Sequence, residues 1–281
     1  MEAQQQVARI GMVHYINMAP IAETWKSRPH TAGWQLVEAH PAALNRMLAE
    51  GEIDLGFVSS HEYGIRPSEY VLLDDLSISS NGAVGSVFLF SRLEPEQLTG
   101  ATVQLSVQSR TSVCLVKIVL KQFFRASPVY LEDDIANAEK RRADAVLAIG
   151  DDALRLNIER AYRYRLDLGE IWMQYTGLPF VFGVCAVRSE FVRAHPELVS
   201  DIHRELLVCR DLGNASLTDI CSVAAPRIPM KIEICHRYLR GIEYNLGPKK
   251  LEALERFYRY LFDFKEAAHA CLPLKIRKVD E

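Results

Sequence analysis

The stretch Gln108-Ser109-Arg110-Thr111-Ser112, followed by the apolar run from Val113 to Phe124, decides how this chain reads. A β-rich segment over 102–107 ends in hydroxyl residues, and a helical pattern begins directly on them. Ser and Thr at such a junction cap free backbone N–H groups. The same N–H groups, with the helix dipole behind them, suit a carboxylate or phosphate. A plain helix cap and an anion site are both open readings of this motif.

Working outward, strand and helix patterns alternate on both sides. Residues 7–13 read as a strand. Residues 41–50 read as a helix, with Pro41 at its start, Leu44, Met47 and Leu48 on one face, and Gly51 just past its end. A short buried strand over 54–58 then completes a βαβ opening. Residues 87–91 read as a strand. Strand 102–107, the helix after Thr111, strand 129–130, a helix over 135–142 and strand 145–149 continue the alternation. Gly177 and Pro179 break a helix before a long strand over 180–187. Beyond Ser189 the pattern is almost wholly helical, over 191–210, 217–225, 232–242 and 248–268, with a tail containing Pro273.

Two strands, near 86–91 and 180–187, bracket a central α/β block. That pattern predicts a discontinuous first lobe, 1–91 and 184–281, clasping a second lobe, 92–183. The bracketing strands then act as hinges and a ligand lies between the lobes. On pattern alone, a single doubly wound sheet fits the same alternation.

Composition is that of an ordinary globular protein: 281 residues, 49% hydrophobic and 25% charged. Lys+Arg 33 against Asp+Glu 36 gives a net charge of -3. The clusters Lys140-Arg141-Arg142 and Lys275 to Lys278 are too short for a nucleic-acid surface, so no nucleic-acid partner is expected. The start, Met1 to Gln6, lacks the pattern of a signal peptide, and no apolar run has bilayer-spanning length; a cytoplasmic protein without a membrane partner is expected. The six cysteines form no C-x-x-C pair, which points to buried free thiols. The eight histidines lack H-x-x-x-H and H-E-x-x-H spacings, so no metal site is expected.

Several segments fall where strands end. His14 to Pro20 carries Asn17, a helix cap or a ligand contact, and His14, a general base or a packed bystander. Ser59 opens the segment after the 54–58 strand. Asn81-Gly82-Ala83-Val84-Gly85-Ser86 has two glycines that let backbone approach a ligand. Asp151 sits at a helix start, serving the dipole or a substrate. Thr176 and Gly177 offer donors to an acid group, or merely end a helix.

Together these segments resemble the chorismate dehydratases of the futalosine route to menaquinone. The resemblance is carried by Arg9-Ile10-Gly11, Tyr15-Ile16-Asn17 and Pro20, Gly51-Glu52-Ile53-Asp54, residues 82–87, Ser109-Arg110-Thr111-Ser112 and residues 148–154. It closes with Asp167-Leu168-Gly169, Trp172 and residues 176–182. It implies a two-lobed α/β fold like the type 2 periplasmic binding proteins, an enzyme without cofactor, and chorismate as the small-molecule partner, in a monomer or homodimer. It implies conversion of chorismate to 3-[(1-carboxyvinyl)oxy]benzoate and water, a carbon–oxygen lyase reaction. Asn17 and Ser86 are the implied catalytic residues. His14, Ser59, Ser109, Arg110, Thr111, Ser112, Asp151, Thr176 and Gly177 are the expected substrate contacts. The base is either His14 or the substrate's own enolpyruvyl carboxylate. One departure is Cys185, where the family commonly carries Trp.

A sister family that makes 1,4-dihydroxy-6-naphthoate on the same fold is usually marked by an early Ser-Pro-Cys-Pro-Asn-Asp type motif. His14 to Ala19 stands in its place here. A non-catalytic cytoplasmic carboxylate-binding protein is the other alternative.

Overall fold

The computed structural model describes residues 7–30, 33–138, 142–228, 230–267 and 271–279. The expected features at Met1 to Gln6 and at Lys140-Arg141 lie outside these residues. One set of strands comprises β1 (Ala8–Val13), β2 (Trp34–Ala39), β3 (Leu55–Ser59), β4 (Tyr70–Ser80), β10 (Phe180–Arg188) and β11 (Ile276–Arg277). They form a sheet in the order β11-β4-β10-β3-β1-β2. The other set comprises β5 (Val87–Ser91), β6 (Thr102–Leu105), β7 (Val129–Glu132), β8 (Ala145–Ile149) and β9 (Tyr164–Asp167), in the order β7-β6-β8-β5-β9.

Helices connect and cover the strands: α1 (Ala19–Ser27), α2 (Pro41–Glu50), α3 (Ser60–Ile65), α4 (Arg110–Ile118), α5 (Gly150–Glu159) and α6 (Leu168–Thr176). The last part of the chain adds α7 (Ser189–Ala194), α8 (Pro196–Ala215), α9 (Leu217–Ala224), α10 (Ile232–Leu239) and α11 (Pro248–Asp263). Helix α2 keeps both of its sequence signals. Pro41 occupies the first turn, where its missing N–H costs nothing, and Gly51 closes the helix in the left-handed conformation at φ 74°. No helix among the described residues is long and apolar enough to cross a membrane.

The expected helix over 191–210 is two helices, because Pro196 supplies no N–H to the preceding turn and starts α8. The helix expected over 135–142 begins as a single tight turn, Ile135–Asn137. Sheet membership also departs from the expected lobe boundaries. β5 pairs with β8 and β9, so residues 87–91 belong to the second sheet. All of β10, including 180–183, belongs to the first sheet, between β3 and β4.

The described chain passes between the sheets over 81–86 and 177–179. Phe180 and Ser80 are register partners, so the two crossings leave the first sheet side by side. Each is pinned. The Asp167 carboxylate accepts from the Val84 and Gly85 N–H groups at 3.0 and 2.6 Å, and also from Gly169 and Glu170 at the start of α6. Burial pushes the Asp167 carboxyl above the usual carboxylate range, against the pull of those four N–H donors. At the second crossing the fully buried Trp172 donates Nε1–H to the Pro179 carbonyl at 3.1 Å, with its ring against Phe180.

Candidate active site

A cleft of about 530 Å³, its open mouth included, lies where the strand ends of both sheets meet. From the first sheet and its loops it is lined by Val13, Tyr15, Asn17, Val58, Ser59 and Phe182. Ser86, Ser109, Ser112, Ile149 and Gly150 line it from the second sheet's side. Among the described residues, none that lines it is Asp, Glu, Lys, Arg or His; the polar groups are hydroxyls, one side-chain amide and backbone.

Local chemistry aims these groups. The Asn45 amide donates to Ser59 Oγ at 2.7 Å, while its carbonyl accepts the Ser59 N–H at 3.0 Å. With its oxygen already accepting, the Ser59 hydroxyl hydrogen is available to a cleft occupant. Tyr15 donates to Gln108 Oε1, and His40 Nδ1 lies 3.2 Å from the Tyr15 oxygen. Burial raises the Tyr15 phenol far above its ordinary range, so it stays neutral. Asn17 is fixed through its backbone carbonyl, which accepts from the buried Tyr244 hydroxyl. Its side-chain Oδ1 is buried with no hydrogen-bond partner among the described residues, an exception that calls for a reason.

On the opposite side, Ser86 Oγ accepts from the Tyr238 hydroxyl at 2.8 Å. Ser109 is the N-cap of α4, accepting the Ser112 N–H at 3.4 Å, and the two hydroxyls are 3.2 Å apart. Gly150 donates its N–H to the Ser86 carbonyl at 2.8 Å. Its φ of 56° and the Tyr15 ring, 2.9 Å from where a Cβ would stand, both select glycine.

Of the expected site residues, Asn17, Ser59, Ser86, Ser109 and Ser112 come together in the lining. The rest are placed elsewhere. His14 packs its ring against His40, with centroids 4.0 Å apart. Arg110 points away to Glu132 at 2.9 Å. Thr111 is fully buried and accepts the His61 N–H at 2.9 Å, joining α4 to the start of α3. Asp151 accepts the Ile16 N–H at 3.3 Å, and burial raises its carboxyl pKa. Thr176 donates to the Trp172 carbonyl, and Gly177 ends α6 in the left-handed conformation at φ 71°. Both serve the helix end rather than the cleft.

Sequence reasoning left Tyr15, Phe182 and Gly150 out of the site. It also missed Asn45, Tyr238 and Tyr244, which hold lining groups from behind. Tyr15 beside Asn17 and Gly150 beside Asp151 were within its motifs; Tyr238 and Tyr244 carried no local signal.

A family model described as menaquinone biosynthesis matches residues 8–263. A chorismate dehydratase from Thermus thermophilus is 32% identical over 263 residues, covering 88% of this chain and 93% of that one. The chain belongs to the chorismate dehydratase family. Its fold is shared more widely. The alkanesulfonate-binding protein SsuA from Xanthomonas axonopodis pv. citri superposes with a TM-score of 0.73 at 14% identity, covering 98% of this chain and 99% of that one. A Candida albicans protein with the generic periplasmic binding protein fold gives 0.70 at 10% identity, covering 96% of each chain. This member of the chorismate dehydratase family therefore has the two-lobed α/β architecture of periplasmic binding proteins. At those identities the likeness speaks for the fold alone.

Proposed function

We propose that this protein is a cytoplasmic chorismate dehydratase, converting chorismate to 3-[(1-carboxyvinyl)oxy]benzoate and water for menaquinone made by the futalosine route. The observation that carries this reading is the neutral lining of the cleft, taken with the family to which the chain belongs. The ring hydrogen to be lost sits on the carbon bearing the enolpyruvyl ether. That carbon is conjugated through a ring double bond to the ring carboxylate. Removing the proton gives a delocalised dienolate, which expels the neighbouring hydroxide as the ring becomes aromatic. One hydrogen and one hydroxyl leave as water, with no net redox change and no need for a cofactor.

Such chemistry calls for placement and anion stabilisation rather than a protein acid–base pair. The start of α4, with Ser109 and Ser112, holds one carboxylate of the substrate. Asn17, Ser59 and Ser86 orient the ring and the departing hydroxyl. The base is the enolpyruvyl carboxylate of the substrate: Asn17 cannot accept the proton, and His14 is packed against His40 outside the lining.

The test is incubation of purified protein with chorismate, followed by proton NMR for aromatic signals and loss of the ring alkene signals. Chorismate left unchanged by folded protein that binds it would instead establish a non-catalytic binding protein. A chorismate analogue lacking the enolpyruvyl carboxylate should bind and remain unreacted; its dehydration at the full rate would return the base to the protein.

A further inference from the structure

Outside the cleft, three side chains from distant parts of the chain converge: His61 in α3, Cys114 in α4 and Glu266 after α11. Their potential ligand atoms all lie within 4.8 Å of one another. His61 is only 5% exposed and Cys114 only 2%, yet among the described residues neither ring nitrogen of His61 makes a full hydrogen bond, its backbone contact with Glu266 being a weak one. Two unsatisfied nitrogens on one buried ring are costly unless something else occupies them. His61 Nε2 is 3.9 Å from Glu266 Oε2, while the other carboxylate oxygen faces Lys117 Nζ at 3.6 Å.

We propose that His61, Cys114 and Glu266 bind one divalent metal ion of the zinc class, with water completing a four-coordinate shell. The donor set of imidazole nitrogen, thiolate and carboxylate oxygen is that of zinc and its neighbours, and it is foreign to magnesium or calcium. Zinc-type bond lengths place ligand atoms about 3.3–3.6 Å apart, so the widest separation in the cluster, up to 4.8 Å, closes by about 1 Å on binding. Coordination takes the thiolate, so the Cys114 proton is released to solvent as the metal binds.

The position gives such an ion a mechanical consequence. α3 follows β3 of the first sheet, α4 follows β6 of the second, and the His61 N–H to Thr111 bond already joins them. A metal there ties the two halves together two residues beyond Ser112 in the cleft wall. It adds no step to the dehydration.

The experiment is titration of the full, reduced, chelator-treated chain with cobalt(II), read by thiolate-to-cobalt charge-transfer absorption in the near ultraviolet. One equivalent should develop the band in the wild type. Cys114→Ser and His61→Gln should abolish it, and Glu266→Gln should weaken cobalt affinity at least tenfold. Circular dichroism melts check that each variant folds, and Glu266, with 28% of its side chain exposed, carries the test if the buried variants do not. Absence of the band in the wild type would overturn the proposal. So would a band of unchanged strength and affinity in folded His61→Gln or Glu266→Gln, because the metal would then be held without the three-residue donor set.

Discussion

The Tyr238 hydroxyl donates to Ser86 Oγ across 2.8 Å, and both residues are buried. Because that oxygen already accepts, the Ser86 hydrogen is left for an acceptor in the cleft that Ser86 lines. Burial raises the Tyr238 phenol, so the donor persists at any physiological pH. Tyr238→Phe should lower unfolding free energy by about 0.5–1.5 kcal/mol, the net worth of one such bond. It should also lower kcat/KM about tenfold, because the Ser86 rotor loses its support. Urea denaturation and steady-state kinetics measure both; wild-type kcat/KM would disconnect this bond from the chemistry.

Ser109 and Ser112 should separate stability from binding. Ser109 caps α4, so Ser109→Ala costs about 0.5–2 kcal/mol of stability in addition to any loss of turnover. Ser112→Ala leaves the capped N–H in place and should barely move Tm. If its hydroxyl serves a substrate carboxylate, the variant loses about 1.5–3 kcal/mol of transition-state binding, roughly ten- to a hundredfold in kcat/KM. Full activity in Ser112→Ala would assign its hydroxyl to the Ser109 contact alone.

This pair also shows how far the site could be read in advance. Each residue of an α-helix turns about 100°, so positions 109 and 112 share a face while 110 and 111 point away. Arg110 and Thr111 were expected beside them from the motif they share and the family resemblance, but helical geometry sends them to Glu132 and to the His61 backbone N–H. The helix at Pro41–Glu50 and the strands at Val87–Ser91 and Ala145–Ile149 were legible to the residue, because their signals are local. β4 was not. Asp74 and Asp75 interrupt its apolar pattern, and Ser77 and Ser79 become acceptable in its buried half only by donating to the Asn245 and Glu243 carbonyls. Likewise, no spacing rule joins His61, Cys114 and Glu266; packing alone brings them together.

In the chelator-treated, metal-free chain, acid should destabilise the fold partly through His61. Burial lowers its folded-state pKa to about 4, whereas an unfolded histidine titrates near 6.5. Between those values the unfolded chain binds a proton that the native ring refuses, so stability falls as pH falls. The contribution is complete above about pH 6.5 and reaches a loss of about 3 kcal/mol by pH 4. Burial also lowers the pKa of His40 and His203, which adds to the same slope. Urea unfolding at pH 7 and pH 4.5 should show a shallower decline for His61→Gln than for wild type; equal declines would remove His61 from the acid response.

Gly150→Ala should disturb the cleft from a single methyl group. The new Cβ meets the Tyr15 ring at 2.9 Å, and the backbone is held at φ 56°. The left-handed conformation alone costs a non-glycine residue about 1–2 kcal/mol. Tyr15 must also shift from Gln108 and His40, which deforms one cleft wall. The expected result is a Tm lowered by several degrees and a raised KM, since the altered wall touches bound substrate in every state. An unchanged KM would mean that substrate does not approach this wall.

Asn17 offers the sharpest test of the neutral cleft. Its Oδ1 is buried without a partner among the described residues, and its backbone carbonyl is held by the Tyr244 hydroxyl. Asn17→Asp preserves shape and backbone anchorage while replacing an amide donor by an anion. A dianionic substrate then meets a fixed like charge. Two unit charges about 4 Å apart repel by about 4 kcal/mol at an effective dielectric near 20. That energy corresponds to roughly a thousandfold loss in kcat/KM. The penalty should shrink at low pH, where the new carboxyl is protonated, and a pH profile of kcat/KM therefore separates repulsion from a loss of shape. Asn17→Ala provides the comparison, because it removes the donor without adding charge and should lose less. If folded Asn17→Asp turns over chorismate at the wild-type rate, Asn17 does not face the substrate, and its buried oxygen needs a structural explanation instead.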